Sequence, residues 1–177
     1  MKKIWLMGLT ILVIGLCGNL NSANYKPGSE PDGFRGIKWG TDISTLKDME
    51  YLGIDPSYGG MKKYTRKNED LHLGGAKLEI IGYGFWRGKF CGVQILTKGS
   101  TNWRGLRDAV FEKFGPGWQL DKSIERYIWP FGDITGMFLE YNKVSEKGKL
   151  QIYSAEIGKQ MKAYEKQKAR EGAEKGF

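Results

Sequence analysis

Leu78-Glu-Ile-Ile-Gly-Tyr-Gly-Phe-Trp86, Arg87-Gly88, Lys89-Phe-Cys-Gly-Val-Gln-Ile-Leu-Thr97: this stretch decides the reading of the fold. Two runs rich in β-branched and aromatic residues flank a two-residue connection that ends in Gly. Gly tolerates positive φ, so Arg87-Gly88 suits the tight turn of a hairpin. The pattern predicts one strand over 78–86 and its partner over 89–97. Downstream, Ser100 or Thr101 is placed to cap a helix. Trp103, Leu106, Val110 and Phe114 recur at helical spacing, and Gly115-Pro116 stands where a helix should stop. Those four side chains are the predicted heart of the core. Three more strands are expected at 123–129, 134–141 and 149–155, with a turn at Pro130-Phe131-Gly132-Asp133. Residues 156–170 are helical in composition, with Ile157, Met161 and Tyr164 on one side.

Upstream, Thr41-Asp42 can cap a short helix carrying Ile43, Leu46 and Met49. Glycines between 53 and 60 break it, 61–67 reads as a strand, and 68–77 as a polar loop. The order helix, strand, strand, strand then occurs twice. A gap-free shift of 60 residues gives nine identities between positions 38 and 95, among them Thr41/Thr101, Leu46/Leu106, Pro56/Pro116 and Gly88/Gly148. The expected class is α+β: a tandem helix-strand-strand-strand repeat (about 38–97 and 98–156) with an antiparallel sheet, helices on one face, and an extra C-terminal helix and tail at 157–177. Each half is too small for a secure core alone, so the two should share one body.

The first residues read as an export signal. Met1-Lys2-Lys3 is a positive start, Ile4 to Leu16 an apolar run, and Asn21-Ser22-Ala23 a cleavage triplet. The run is shorter than the ~20 residues that span a bilayer, so 1–23 is assigned as a cleaved signal, leaving no transmembrane segment. Cys17 is the rival site, as a lipid-bearing N-terminus, but Leu16 before it is bulky. Residues 24–33, with Pro27, Gly28, Pro31 and Gly33, read as an extended linker. The 177 residues carry 28 Lys+Arg against 20 Asp+Glu, a charge of +8 that becomes +6 without Lys2 and Lys3. High aromatic content excludes a disordered chain. One His and two Cys, one of them in the signal, exclude a His/Cys zinc site and an intrachain disulfide framework.

The stretch Phe34-Arg-Gly-Ile-Lys-Trp-Gly-Thr41, followed by Tyr83-Gly-Phe-Trp-Arg-Gly-Lys-Phe90, resembles a group of uncharacterised exported bacterial proteins with an F-x-G-I-x-W-G-T opening. More distantly, the tandem layout is similar to the β-lactamase-inhibitor protein and to the small lipoproteins of outer-membrane protein assembly. The resemblance implies a non-enzymatic, protein-binding α+β module. It departs from both: the inhibitor's repeats are braced by disulfides, and the assembly lipoproteins carry a clean lipobox. It assigns no functional residue.

The residues themselves raise several chemistries. His72 beside Glu69 and Asp70 could be a metal or acid/base group, or a solvated loop. Cys91 alternates with Val93 and Ile95, as a buried thiol does. Lys98-Gly99-Ser100 lacks the earlier glycines of a phosphate loop. Glu79 and Glu140 could pair for glycoside hydrolysis only if the fold brings them together. Of Trp39, Tyr83, Phe85, Trp86, Tyr127, Trp129 and Tyr141, some must face away from the helices, because neighbouring strand residues point to opposite sides. Lys62, Lys63 and Arg66, echoed by Lys122 and Arg126, form a possible basic patch for an anionic envelope component or an acidic protein. Export argues against nucleic acid, and no catalytic residue, metal or cofactor is assigned. The expected function is a non-catalytic periplasmic or secreted binding module. The alternatives are an envelope enzyme acting on a polysaccharide or lipid, and a structural lipoprotein anchored at Cys17.

Overall fold

The hairpin forms where the sequence places it, and the sheet grows from it. The computed structural model describes residues 25–176. The predicted signal, Cys17 included, lies outside the described residues. Strands β1 (Gly33–Phe34) and β2 (Ile37–Lys38) pair first, and a single 3-10 turn, Ile43–Thr45, follows. Then come β3 (Met49–Asp55), β4 (Met61–Arg66), the short pair β5 (His72–Leu73) and β6 (Ala76–Lys77), β7 (Ile80–Trp86) and β8 (Lys89–Lys98). Helix α1 (Ser100–Phe114) leads to β9 (Arg126–Phe131), β10 (Thr135–Asn142), β11 (Lys147–Ser154) and helix α2 (Ala155–Gly176).

One antiparallel sheet of seven strands dominates, in the order β3-β4-β7-β8-β11-β10-β9. Each half of the chain is a meander, and the last strands of the two meanders, β8 and β11, meet at its centre with Val93 opposite Ile152 and Ile95 opposite Leu150. The β7–β8 turn has positive φ at both Arg87 (49°) and Gly88 (78°), as the sequence requires. That turn lies at the lower end of the sheet; Lys98 and the β10–β11 turn mark the upper end.

Helix α1 packs on one face. Trp103, Leu106, Val110 and Phe114 are all buried, as their spacing predicts, against Tyr83, Phe85, Val93, Ile95, Leu139 and Leu150. Fully burying each such side chain contributes roughly 1.5–3 kcal/mol, so this cluster is the main source of stability. The helix begins after Gly99, with no side-chain cap from Ser100 or Thr101, and stops at Gly115, whose N–H donates to the Phe111 carbonyl.

The expected α+β class is overturned. Strand makes up 41% and helix 28% of the structure, so it is mainly β. The helix expected at 41–49 is only the 3-10 turn, which Asp42 caps by accepting from the Ser44 N–H. Leu46 is already extended, and Met49 onward pairs with β4 instead. A segment rich in Tyr and Ile beside a waiting strand gains more from a ladder than from an isolated helical turn. The unit of one helix and three strands therefore occurs once. Residues matched by the 60-residue shift occupy different elements: Gly88 is a turn residue whereas Gly148 lies in β11, and Thr41 precedes the 3-10 turn whereas Thr101 is in α1. The helices also do not share a face. Ile157 and Met161 of α2 pack with Met61, Trp86 and Cys91, a second cluster on the opposite side of the sheet.

The segment read as a linker is tied to the body. Tyr25 packs edge-on against Phe131, and Lys26 N–H donates to the Phe114 carbonyl. The Pro31 carbonyl accepts from both Trp39 Nε1 and Thr135 Oγ1. Among the described residues no helix is long and apolar enough to cross a membrane.

Candidate functional site

Alternation along the strands decides which side chains are available. On the second face, cross-strand pairing lines up Ile80, Leu96, Lys149, Glu140 and Arg126 in one row. The next row is Gly82, Gln94, Gln151, Phe138 and Ile128. Helix α2 leaves β11 at the lower end and packs over Cys91, Trp86 and Met61 there. The two rows lie nearer the upper end, beyond that cluster. Ile80, Leu96, Phe138 and Ile128 are part-exposed there beside the part-exposed amide of Gln94 and three charges, while Gln151 between them is buried. Glu140 pairs with Lys149 at 2.6 Å and Arg126 at 3.3 Å, and both cations lie over the Phe138 ring at 5.4 and 5.7 Å. An aromatic ring between two cations, beside aliphatics and an amide, is a surface that can hold an extended chain or a flat partner.

The expected aromatic face is different in kind. Phe85 and Trp86 do point to opposite sides, Phe85 to the α1 core and Trp86 to the α2 cluster. Trp86 is covered, however: its Nε1 donates to the Tyr58 carbonyl, and Arg87 lies 4.4 Å over its ring and 5.0 Å from Tyr164. Trp39, Tyr83, Tyr127, Trp129 and Tyr141 all join the α1 side. Phe138 is a part-exposed ring on the second face.

A second candidate lies at the upper end beyond β4. It is a shallow cleft of 510 Å³ lined by Arg35, Asp48, Arg66, Lys67, Asn68, Glu69 and Asp70. Its floor is a closed charge network. The Tyr83 hydroxyl donates to Glu69 Oε2 at 2.7 Å, and Arg35 pairs with Oε1 of the same carboxylate. Arg35 also donates to the carbonyls of Asp70 and His72. Arg66 holds Asp48 and pushes its carboxyl below the usual range. Burial, reinforced by Glu69, pushes the Tyr83 phenol well above its ordinary value. A phenol held protonated and a carboxylate already saturated by two donors anchor a loop; neither is poised to move a proton.

The sequence-predicted residues are placed as follows. His72 Nδ1 contacts Asp70 Oδ1 at 2.8 Å on the surface, while Glu69 turns to Tyr83 and Arg35, so the three groups do not converge. No group of three or more His, Cys, Asp or Glu among the described residues could hold a metal ion. Cys91 is buried, its Sγ contacting Met61 Sδ and the Gly84 carbonyl, and burial pushes its thiol up to about 12. Glu79 precedes β7, three strand spacings from Glu140 on β10, or about 14 Å, wider than the separations used for glycoside hydrolysis.

The basic patch is dispersed. Lys62 and Lys63 are neighbours on β4 and point to opposite faces; Lys63 pairs with buried Asp55, and Arg66 with Asp48. Lys122 lies before β9 and Arg126 on it, at the far edge of the sheet, five strand spacings or about 24 Å from β4. The surface on the second face escapes sequence reasoning although Gln94 and Leu96 alternate with core Val93 and Ile95. That alternation marks two usable sides; it carries no information on where α2 lies.

Comparison with known proteins gives no match among family models, curated proteins or solved structures.

Proposed function

We propose that this chain is an exported, periplasmic binding module. It holds a protein or anionic envelope component against the open half of its second sheet face and performs no catalysis. The observation that carries this reading is the surface around Phe138: part-exposed Ile80, Leu96, Ile128 and Gln94, and the Arg126–Glu140–Lys149 ladder. Such a surface gains by excluding water from aliphatic groups while its charges set register and partner choice.

Photo-crosslinkers at positions 96 and 138, followed by pull-down from envelope extract, test it. One partner should be captured at both positions, and L96S/F138S should lose it while keeping the wild-type melting curve. Capture unaffected by L96S/F138S would refute the surface. Release of sugar or fatty acid from envelope material by the purified protein would refute the non-catalytic reading. Lys63 and Arg66 are poor probes of binding, because their ion pairs with Asp55 and Asp48 help hold β3 to β4.

A further inference from the structure

Independently of the sheet face, we infer that the upper end of the sheet docks onto the surface of an anionic phospholipid bilayer. Two adjacent turns form that end. Residues 119–125 precede β9, and residues 143–146 join β10 to β11. Tyr141 N–H donates to the Glu125 carbonyl, which brings Ile124 beside Asn142, and Trp118 exchanges two backbone hydrogen bonds with Ile128, which sets Leu120 level with the start of β9. Three aliphatic side chains are thereby presented within about 15 Å, given strand spacings near 4.8 Å. Leu120 is 62% exposed, Ile124 43% and Val144 97%. They are half of the large hydrophobic side chains that the described surface leaves exposed.

The turns are held in shape. Asp121 Oδ1 accepts from the Ser123 N–H and hydroxyl, Asn142 Oδ1 accepts from the Ser145 N–H, and Lys98 Nζ donates to the Ser145 carbonyl. The aliphatics therefore stay presented without a further ordering penalty. Lys98, Lys122, Arg126, Lys143 and Lys147 surround them, against Asp121, Glu125, Glu140 and Glu146. Glu140 is paired with Arg126 and Lys149, whereas Asp121 and Glu125 are held by neutral donors, Ser123 and the Tyr127 hydroxyl, and keep their charge. Counting Lys149, six cations stand against four carboxylates, so this end carries a small positive excess, and Lys122 and Lys143 make no ion pair among the described residues.

A protein interface of ordinary size needs about 800 Å² per partner and a complementary surface. Three exposed aliphatics on two turns are far fewer than the roughly 20–30 residues a side of such an interface. They suit a bilayer interface, where short aliphatics enter the acyl boundary and lysines reach the headgroups. At residue 25 the described chain lies at the opposite end, where Tyr25 packs on Phe131.

The test uses the chain as it stands after cleavage at Ala23, without the apolar signal run, so that buried Cys91 is its native thiol. V144C carries an environment-sensitive fluorophore, with K166C on the projecting part of α2 as control. Vesicles are equimolar phosphatidylglycerol and phosphatidylcholine, or phosphatidylcholine alone. The label at 144 should shift to the blue and be quenched by spin-labelled lipid on the anionic vesicles only, while the label at 166 stays water-like. L120S/I124S should reduce this signal about tenfold, and K122E/K143E should abolish the preference for phosphatidylglycerol. A label at 144 that remains in water on vesicle-bound protein would overturn the inference, as would an unchanged signal in L120S/I124S, or crosslinking from position 144 to a protein in place of lipid. Those outcomes leave the Phe138 surface standing, because it is read by capture at positions 96 and 138.

Discussion

Gly105 offers the sharpest check on how α1 is seated. It lies in the helix interior, where Ala is favoured over Gly by about 0.8–1 kcal/mol. A Cβ at this position would stand 2.7 Å from the Gly75 carbonyl carbon and 2.8 Å from the Ala76 nitrogen, atoms of the β5–β6 turn. Those are backbone atoms, so no side-chain rotation relieves the contact; the helix or the turn must shift. Overpacking of this kind costs about 1–3 kcal/mol. Three backbone atoms under 3.0 Å put the steric cost in the upper part of that range, about 2–3 kcal/mol, so it outweighs the propensity gain and G105A should destabilise the fold by about 1–2 kcal/mol. With a urea m-value of about 2 kcal/mol/M, the midpoint should fall by about 0.5–1 M. Gly172, in the exposed part of α2, is the control, because a Cβ there would meet nothing within 4 Å. G172A should raise helical circular dichroism without lowering the midpoint. If G105A unfolds at or above the wild-type midpoint while G172A behaves as stated, α1 does not rest on the backbone of the β5–β6 turn.

Other perturbations probe the core, a turn and the second face. V110D puts an unpaired carboxylate into the α1 core and should leave no cooperative melting transition, since the burial penalty is several kcal/mol; a normal transition would contradict the packing. Asp42 is held at about 2 by the Ser44 N–H and hydroxyl and by Lys89. Because its folded value lies below its unfolded one, the stability it contributes is present above about pH 4 and is lost as pH falls through about 2. D42N should therefore flatten the fall in stability across that window, and an unchanged pH profile would count against the turn. In the chain cleaved at Ala23, Ellman's reagent should react with Cys91 only after guanidinium unfolding, because burial raises its thiol to about 12; rapid labelling of the native protein would show an open second face at Met61 and Trp86.

Some of this architecture is legible because its causes are local. The Arg87-Gly88 turn needs positive φ, and the Trp103–Leu106–Val110–Phe114 stripe needs only helical spacing, so hairpin and helix are both readable from a few consecutive residues. The segment 41–55 misleads because its favoured local turn competes with pairing to β4, and pairing is not a local property. The Tyr83–Glu69–Arg35 network is hidden for the same reason: Glu69 lies 14 residues from Tyr83 and 34 from Arg35, and the three meet only when the loop after β4 folds over β7.

The amino-acid sequence by itself determined the Arg87-Gly88 turn, the β7–β8 hairpin around it, the stop at Gly115 and the core stripe of α1, since backbone geometry and side-chain periodicity act over a few residues. Only the tertiary structure decided the order of the strands, the placement of the two helices on opposite faces, and hence that Phe138 and Leu96 stay part-exposed beyond α2. Those outcomes depend on which distant surfaces meet, and the energy of that meeting belongs to pairs of residues that the chain keeps far apart.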